Sequence, residues 1–365
     1  MDTSNLSLPA GNVSVNVALF CNAVLSGLPM SRFLKPNIRG LETLEQVPTF
    51  SFFIQHPSGR RLLFDLGPRK DVSNLSPIVT GRMSQAGWKV AVKDDVPDIL
   101  KQNDIPPGSI ENVVWSHWHW DHVGNMAKFP QSTTGVIVGP GFTAAMTPGY
   151  PKNPSSPILE SDYSGRELIE LENFESSVAG LPAHDYFGDG SLYILSTPGH
   201  AVGHLSALAR TLCQNQGTGD TFILMGGDCC HHMCQLRPSP QGPLPCSVKY
   251  SISSETHFPS GMSEGSWSSI SHGTGTDRPF ADISDHPNGA SAVSDPSSAR
   301  DSLLKLQQLD SENGNVFFVV AHDKSLLGVV DLFPEWANDW KSKGWAEQAR
   351  WDFLTDFKEN FEHRK

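Results

Sequence analysis

The sequence predicts an α/β fold, and three observations predict it. Short apolar runs with strand character recur along the chain, segments with helical spacing lie between and after them, and several of the apolar runs end on a single histidine or aspartate. With 365 residues there is material for one large domain and an ample core. The expected organisation is a single domain over residues 1-365 with a long insertion.

Val13 to Phe20 alternates apolar and polar positions, the period of a half-buried strand. Thr49 to Gln55 and Arg61 to Asp65 flank Pro57-Ser58-Gly59 and read as a hairpin. Asp65 leaves this hairpin towards Gly67, either as a turn-capping side chain or as a group that orients a metal ligand; both readings stand at this point. Val96, Ile99 and Leu100 mark one face of a short helix between Asp95 and Asn103, stopped by Pro106-Pro107-Gly108. Ile110 to Trp115 and Val136 to Val138 are strands, and residues 147–165, rich in Pro, Gly and Ser, read as a surface loop.

Three further strands end on candidate ligands. Leu192 to Leu195 runs into Ser196-Thr197-Pro198-Gly199-His200, Thr221 to Met225 into Gly226-Gly227-Asp228, and Val316 to Ala321 into His322-Asp323. Buried His and Asp are costly without partners, so repetition of this device argues for a shared purpose. Residues 236–295 are dominated by Ser, Pro and Gly and are expected to form a flexible insertion. Asp295-Pro296 then looks like an N-cap with proline at the first helical position, opening a helix through Leu303, Leu304 and Leu306. An amphipathic C-terminal helix is expected over 338-362, with Gly344 a break near its start.

Composition narrows the function. Lys and Arg number 27 against 39 Asp and Glu, a formal net charge of −12 without a clustered basic face, which argues against a nucleic-acid or anionic-membrane partner. No apolar stretch approaches the ~18 residues of a membrane span. Met1 to Asn16 is polar and does not resemble a secretory signal, so a cytoplasmic protein is expected. The six cysteines lack the spacing of a disulfide framework and are expected as free thiols; Cys230 and Cys234 with His231 and His232 lack the paired clusters of a structural zinc site.

The chemistry concentrates in Ser116-His117-Trp118-His119-Trp120-Asp121-His122. His117 and His119 are two apart, so extended backbone places both rings on one side, while Asp121 and His122 fall where Gly124 turns the chain. Imidazole with carboxylate suits zinc and its first-row relatives, and the arrangement suits two neighbouring ions. No Gly-x-Ser-x-Gly elbow offers a serine nucleophile instead.

Taken together, His117-Trp-His119-Trp-Asp121-His122, Thr197-Pro-Gly-His200, Gly227-Asp228 and Ala321-His322 resemble the HxHxDH signature and later ligands of the metallo-β-lactamase superfamily, from about residue 13 to 330. The resemblance implies an αββα sandwich, two mixed β-sheets face to face with helices outside. It implies that His117, His119 and His200 hold one metal, that Asp121, His122 and His322 hold a second, and that Asp228 bridges them. Two divalent ions are implied, zinc being the favoured choice. Thr197 to His204 is similar to the acyl-homoserine-lactone lactonases, and the block from Gly226 to Arg237 looks like a fungal branch of lactonase-like proteins. Where the lactonases have a Tyr three residues after the bridging Asp, this chain has His231.

The expected function is that of a dinuclear metal-dependent hydrolase opening a small lactone or lactam, in detoxification of a secondary metabolite or xenobiotic, with metal-bridging hydroxide as nucleophile. The alternative is a thioester hydrolase of glyoxalase II or polyketide carrier-protein type. The expected partner is a small-molecule ester or amide. Asp121 is expected to move a proton, and His231 or His232 to donate to the oxyanion unless they cap the loop after Asp228. His204 reads as a packing or ligand-supporting histidine, Arg237 as the anchor of the insertion, and Trp118 and Trp120 as candidate pocket walls.

Overall fold

A computed structural model describes residues 8–214, 219–240, 242–244, 277–286, 291–311 and 314–360. The first sheet has seven strands: β1 (Asn16–Ser26), β2 (Val47–Gln55), β3 (Arg61–Phe64), β4 (Lys89–Val92), β5 (Asn112–Val114), β6 (Gly135–Val138) and β7 (Leu168–Glu170), in the order β7-β6-β5-β3-β2-β1-β4. The second has six: β8 (Ser176–Val178), β9 (Leu181–Asp185), β10 (Leu192–Ser196), β11 (Leu205–Leu212), β12 (Thr221–Met225) and β13 (Val316–Val319), hydrogen-bonded in chain order. Both are mixed. In the first, β3, β5, β6 and β7 are parallel while β2, β1 and β4 pair antiparallel. In the second only β12 and β13 are parallel.

The sheets face each other across an apolar layer to which Val17, Phe52 and Phe64 contribute from one side and Ile194, Ile223 and Phe317 from the other. Helices close the outer faces. Helix α1 (Pro77–Ala86) is followed by α2 (Val96–Gln102), whose Val96 and Leu100 pack on Phe53, Leu63 and Val113 of the first sheet. The short α3 (Trp120–Val123), α4 (Phe142–Met146) and α5 (Glu160–Tyr163) follow on the same side. Helix α6 (Pro296–Ser311) lays Leu303 and Leu306 on Leu208, Leu224 and Phe318 of the second sheet. The fold is the αββα sandwich that the motif implies.

Strand β1 differs from its expected form. It starts three residues later and is buried on both faces, with Val17 and Leu19 between the sheets and Ala18 and Phe20 under the helices. The alternation of Val13 to Val15 belongs to its lead-in, where Val15 N–H donates to the Arg210 carbonyl. The expected hairpin is present as antiparallel β2 and β3. Asp295 caps α6, accepting from the N–H groups of Ser297 and Ser298.

Two further expectations are corrected. Residues 147–165 are not merely a surface loop, because they include α5 and bury Ile158, Asp162 and Tyr163. The C-terminal helix expected over 338-362 is two pieces, α7 (Trp345–Ala349) and a 3-10 helix (Asp352–Asn360). The physical reason is that they bury against different layers: Trp345 and Ala349 join the core between the sheets, whereas Phe353, Leu354 and Phe357 join the core under α6. One straight amphipathic face cannot serve both.

Of the stretch 236–295, residues 245–276 and 287–290, with Gln241, lie outside the described residues. Its described flanks are tied down, with Phe280, Ile283 and Val293 buried and Asp282–Ile283 paired antiparallel with Leu34–Lys35. Among the described residues no helix is long and apolar enough to cross a membrane. Cys21, Cys213, Cys229, Cys230 and Cys234 are free thiols.

Candidate metal centre

Strand β5 delivers the histidine cluster. Its exit is fixed by Asp65, whose positive φ of 57° turns the carboxylate back on the strand end. Asp65 accepts from the Ser116 N–H and hydroxyl, both at 2.7 Å, and lies 2.8 Å from His122 Nδ1. The two readings of Asp65 therefore merge: it closes the turn and orients His122. Ser116 Oγ lies 3.0 Å from His117 Nδ1, and the His322 Nδ1 lies 2.9 Å from the Pro48 carbonyl. In each of these three rings the second nitrogen, Nε2, is left to face inward.

The second sheet supplies the other groups. The loop after β10 presents His200, the turn after β12 presents Asp228, and the turn after β13 presents His322. Gly227 makes the approach of Asp228 possible: its φ is +54°, and a Cβ there would lie 3.0 Å from His204 Nε2 and from the Ser116 Cβ. His204 fixes the Asp228 backbone, accepting from its N–H at 3.0 Å while Nδ1 faces the Thr197 carbonyl at 3.0 Å. Burial holds the His204 imidazole neutral, with its pKa down to about 4.

The seven expected ligands fall into two groups, His117, His119, His200 and Asp228, and Asp121, His122 and His322; in each group the candidate donor atoms all lie within 4.8 Å of one another. Asp228 Oδ2 is 3.7 Å from His117 Nε2 and 3.4 Å from His200 Nε2. Its Oδ1 is 3.2 Å from His122 Nε2 and 3.4 Å from His322 Nε2. One carboxylate thus turns an oxygen to each group.

These residues fit metal ions. His117 Nε2, His122 Nε2 and Asp228 Oδ1 are buried with no hydrogen-bond partner among the described residues. The 3.2 Å approach of His122 to Asp228 is out of hydrogen-bonding alignment, the disposition of donors that converge on a shared point rather than on each other. Burial, reinforced by neighbouring imidazoles, lowers the His117 pKa well below its usual value and takes His119 to about 3, with Asp228 opposing. Neutral imidazole is the form that ligates a metal. Burial also pulls His122 and His322 down, but Asp228 and its carboxylate neighbours outweigh it and both are raised. Asp228 is opposed by burial yet held well below the carboxylate range by His122 and His322.

The structure divides the His231-His232 pair. His231 faces the site, with Nε2 3.1 Å from Asp228 Oδ2 and its ring stacked on Phe33 at 4.1 Å. His232 is turned away, accepting from the Cys234 N–H and lying 3.3 Å from Asp356. The loop after Asp228 is capped by Gln235 Oε1, which accepts the His231 and His232 N–H groups, so the His231 ring is not needed as a cap. Arg237 forms a buried two-pronged pair with Asp310 of α6 at 2.8 and 2.5 Å, as an anchor of this loop.

A cavity opens on the centre, lined by Asp121, Asp228, His231 and His322 and by Trp118 and Trp120. Leu25, Phe33 and Val47 line it as well. Arg32, Val79, Arg82 and Trp88 were not marked as candidates by the sequence: they carry no motif, and only α1 and the turn after it bring the last three to the cavity.

Comparison with known proteins places this geometry in a family. Residues 44–213 match the model of the metallo-β-lactamase superfamily. Over 361 residues the chain is 38% identical to the gamma-lactamase FDB1 of Fusarium pseudograminearum (strain CS3096), covering 96% of this chain and 84% of that protein. The chain belongs to the metallo-β-lactamase superfamily. As a metallo-β-lactamase-family hydrolase it is also 36% identical to the metallo-hydrolase mfmC of Annulohypoxylon moriforme, across 98% of this chain and 91% of the other. Its fold matches an N-acyl homoserine lactone hydrolase with the product N-hexanoyl-L-homoserine bound at the catalytic metal center, with a TM-score of 0.55, 16% identity and coverage of 89% and 99%. The family model ends before Asp228 and His322, and the fold of this family member brings both back to the cluster that the model includes.

Proposed function

We propose that this protein is a dinuclear metallohydrolase that opens the ring of a small lactone or lactam. The observation that carries the reading is the Asp228 carboxylate, placed between two clusters of donors with one oxygen turned to each. His117, His119 and His200 would hold one divalent ion and Asp121, His122 and His322 the other, with Asp228 shared; the imidazole-carboxylate set favours zinc. When bound, the ions supply Lewis acidity that acidifies water towards neutral pH and polarises the carbonyl under attack. The naming of one relative as a gamma-lactamase and of the structural neighbour as a lactone hydrolase supports the substrate class. Such ring-opening suits detoxification of a secondary metabolite or xenobiotic inside the cell.

The chain's own groups would manage proton and charge. Asp121 lines the cavity, and burial raises its pKa from the ordinary carboxylate value against the opposing pull of His122 and His322, with Asp228 adding to the rise. It takes the proton from the attacking water on a carboxylate oxygen and passes it to the leaving oxygen or nitrogen. His231 lines the same cavity and points Nε2 at the centre, where it donates to the oxygen on which charge develops.

Metal analysis and a substrate panel test this reading together. Metal-replete protein is expected to hold about two ions per chain and to open lactones or lactams faster than it cleaves acyl thioesters. Asp121→Ala is expected to lower turnover by about 10²–10⁴-fold. Protein without metal after replete expression, or a preference for thioesters, overturns it.

A further inference from the structure

One wall of the cavity has a chemistry that ring opening does not use. Arg32 ends the 3-10 turn Met30–Arg32, and the next residue, Phe33, stacks on His231. Its guanidinium lies 5.8 Å from the Trp88 ring centroid, Trp88 is stacked on Trp120 at 6.4 Å, and Trp120 sits between the candidate ligands His119 and Asp121. This sequence of contacts leads from the candidate metal centre to Arg32. Arg82, on the exposed side of α1, lines the cavity with Arg32 and is near enough to add to the burial that lowers the Arg32 pKa.

Two cations sharing a cavity wall repel each other, and proteins ordinarily interleave acids between them. Here, among the described residues, the only carboxylates that line the cavity are Asp121 and Asp228, both assigned to the candidate metal centre. Neither arginine has an ion-pair partner among the described residues, in a chain whose net charge is −12. The orphaned hydrogen-bonding groups point the same way. Arg32 Nε, Trp88 Nε1 and Trp118 Nε1 are buried without an acceptor among the described residues, and all three residues line this cavity. Leaving such donors unpaired is costly, so the complementary ligand is rich in acceptors.

We propose that Arg32 and Arg82 form an anion-recognition subsite, and that the substrate carries a carboxylate at the end remote from the bond that is broken. The guanidinium fork matches a carboxylate in two-pronged fashion, and the indole N–H groups supply further donors along the way. The inference rests on the hydrolase reading for where the broken bond lies, but the subsite is defined by its own residues. It selects among lactones and lactams by charge: neutral rings are admitted without the anchor, and acids are held with the ring towards His231 and Asp121.

The test separates binding from turnover. Tetrahydrofuran-2-acetate and its primary amide have the same ring and side chain but no scissile lactone, and they differ in charge. Titration of the metal-replete protein, followed by the fluorescence of the cavity tryptophans, is expected to show the acid bound about tenfold more tightly than the amide, as for a charge-assisted contact. Arg32→Gln and Arg82→Gln are each expected to shrink this preference to about twofold, and added salt to weaken it. Arg82 is exposed, so its substitution leaves the fold intact even if Arg32→Gln does not. Equal binding of acid and amide, no binding of either, or a preference that survives both substitutions overturns the subsite. Turnover of the corresponding γ-lactones is read separately: an acid preference in binding without ring opening sinks the hydrolase reading and leaves the subsite standing.

Discussion

His231 and His232 are neighbours in sequence with separate environments. His231 stacks on Phe33 and faces Asp228, whereas His232 packs against Phe353 and Phe357 with Nε2 3.3 Å from Asp356. A donor aimed at a developing oxyanion acts in the transition state more than in the ground state. His231→Gln is therefore expected to lower kcat by about 10²–10³-fold with KM changed less than about threefold and the metal content unaltered. His232→Gln, outside the cavity, is expected to keep kcat within about twofold. Steady-state kinetics on one lactone with metal analysis of each variant decides it; equal losses in both would return His231 to a structural role. The sequence showed that one of these imidazoles differed from the lactonase pattern, but which one faced the site depended on Gln235 capping the loop through the backbone of both.

At the scale of elements, α5 shows how a segment read as a surface loop is tied to the core. Its Asp162 is buried beside Arg69, 3.9 Å away, and Arg166, which donates to the carbonyls of Thr134, Met126 and Phe129. Burial outweighs the arginines and raises the Asp162 pKa to about 7. The unfolded chain therefore gives up this proton near pH 4 and the folded chain near pH 7. Between these values the folded state binds more protons, so Asp162 costs stability as pH rises through that window, and the cost is complete above it. Relative to Asp162→Asn, the wild type is expected to lose a few kcal/mol between about pH 4 and pH 7, with little further change above. Urea unfolding of both proteins at several pH values measures the difference, and parallel pH profiles would show that Asp162 titrates normally.

The same scale explains what could be read in advance. Strands that end on His200, Asp228 and His322 were legible because an apolar run closing on one polar residue is costly unless that residue has partners. Helix α1 was not legible: of its ten residues only Val79 and Met83 are buried, too thin a stripe for a helical period to stand out. Strand β4 pairs along the sheet edge with half-exposed side chains, and β8 and β9 contain exposed positions and a proline that mask a strand pattern. The C-terminal aromatics were legible as core but not as belonging to two layers, since sequence periodicity does not say which surface a stripe meets.

Across the whole molecule, the candidate centre is assembled from polar side chains that both sheets supply. His117, His119, Asp121 and His122 follow β5 of the first sheet, while His200, Asp228 and His322 stand on the segments that follow β10, β12 and β13 of the second. In the unfolded chain these groups are spread from residue 117 to 322, so an ion that needs them together binds the folded state and stabilises it by mass action. At a thousandfold excess of metal over its Kd the gain per site is about 4 kcal/mol. Chelation is accordingly expected to lower Tm by at least several degrees and readdition of zinc to restore it. Asp228→Asn weakens the one carboxylate shared by both groups, so its Tm is expected to respond less to zinc than that of the wild type. The inter-sheet layer of Phe52, Phe64, Ile223 and Phe317 is untouched by that substitution, so the variant still folds around the same core. A wild-type Tm indifferent to both chelator and zinc would mean that the fold holds the two halves of the centre in register without an ion, and that the imidazoles were assembled for something other than a metal.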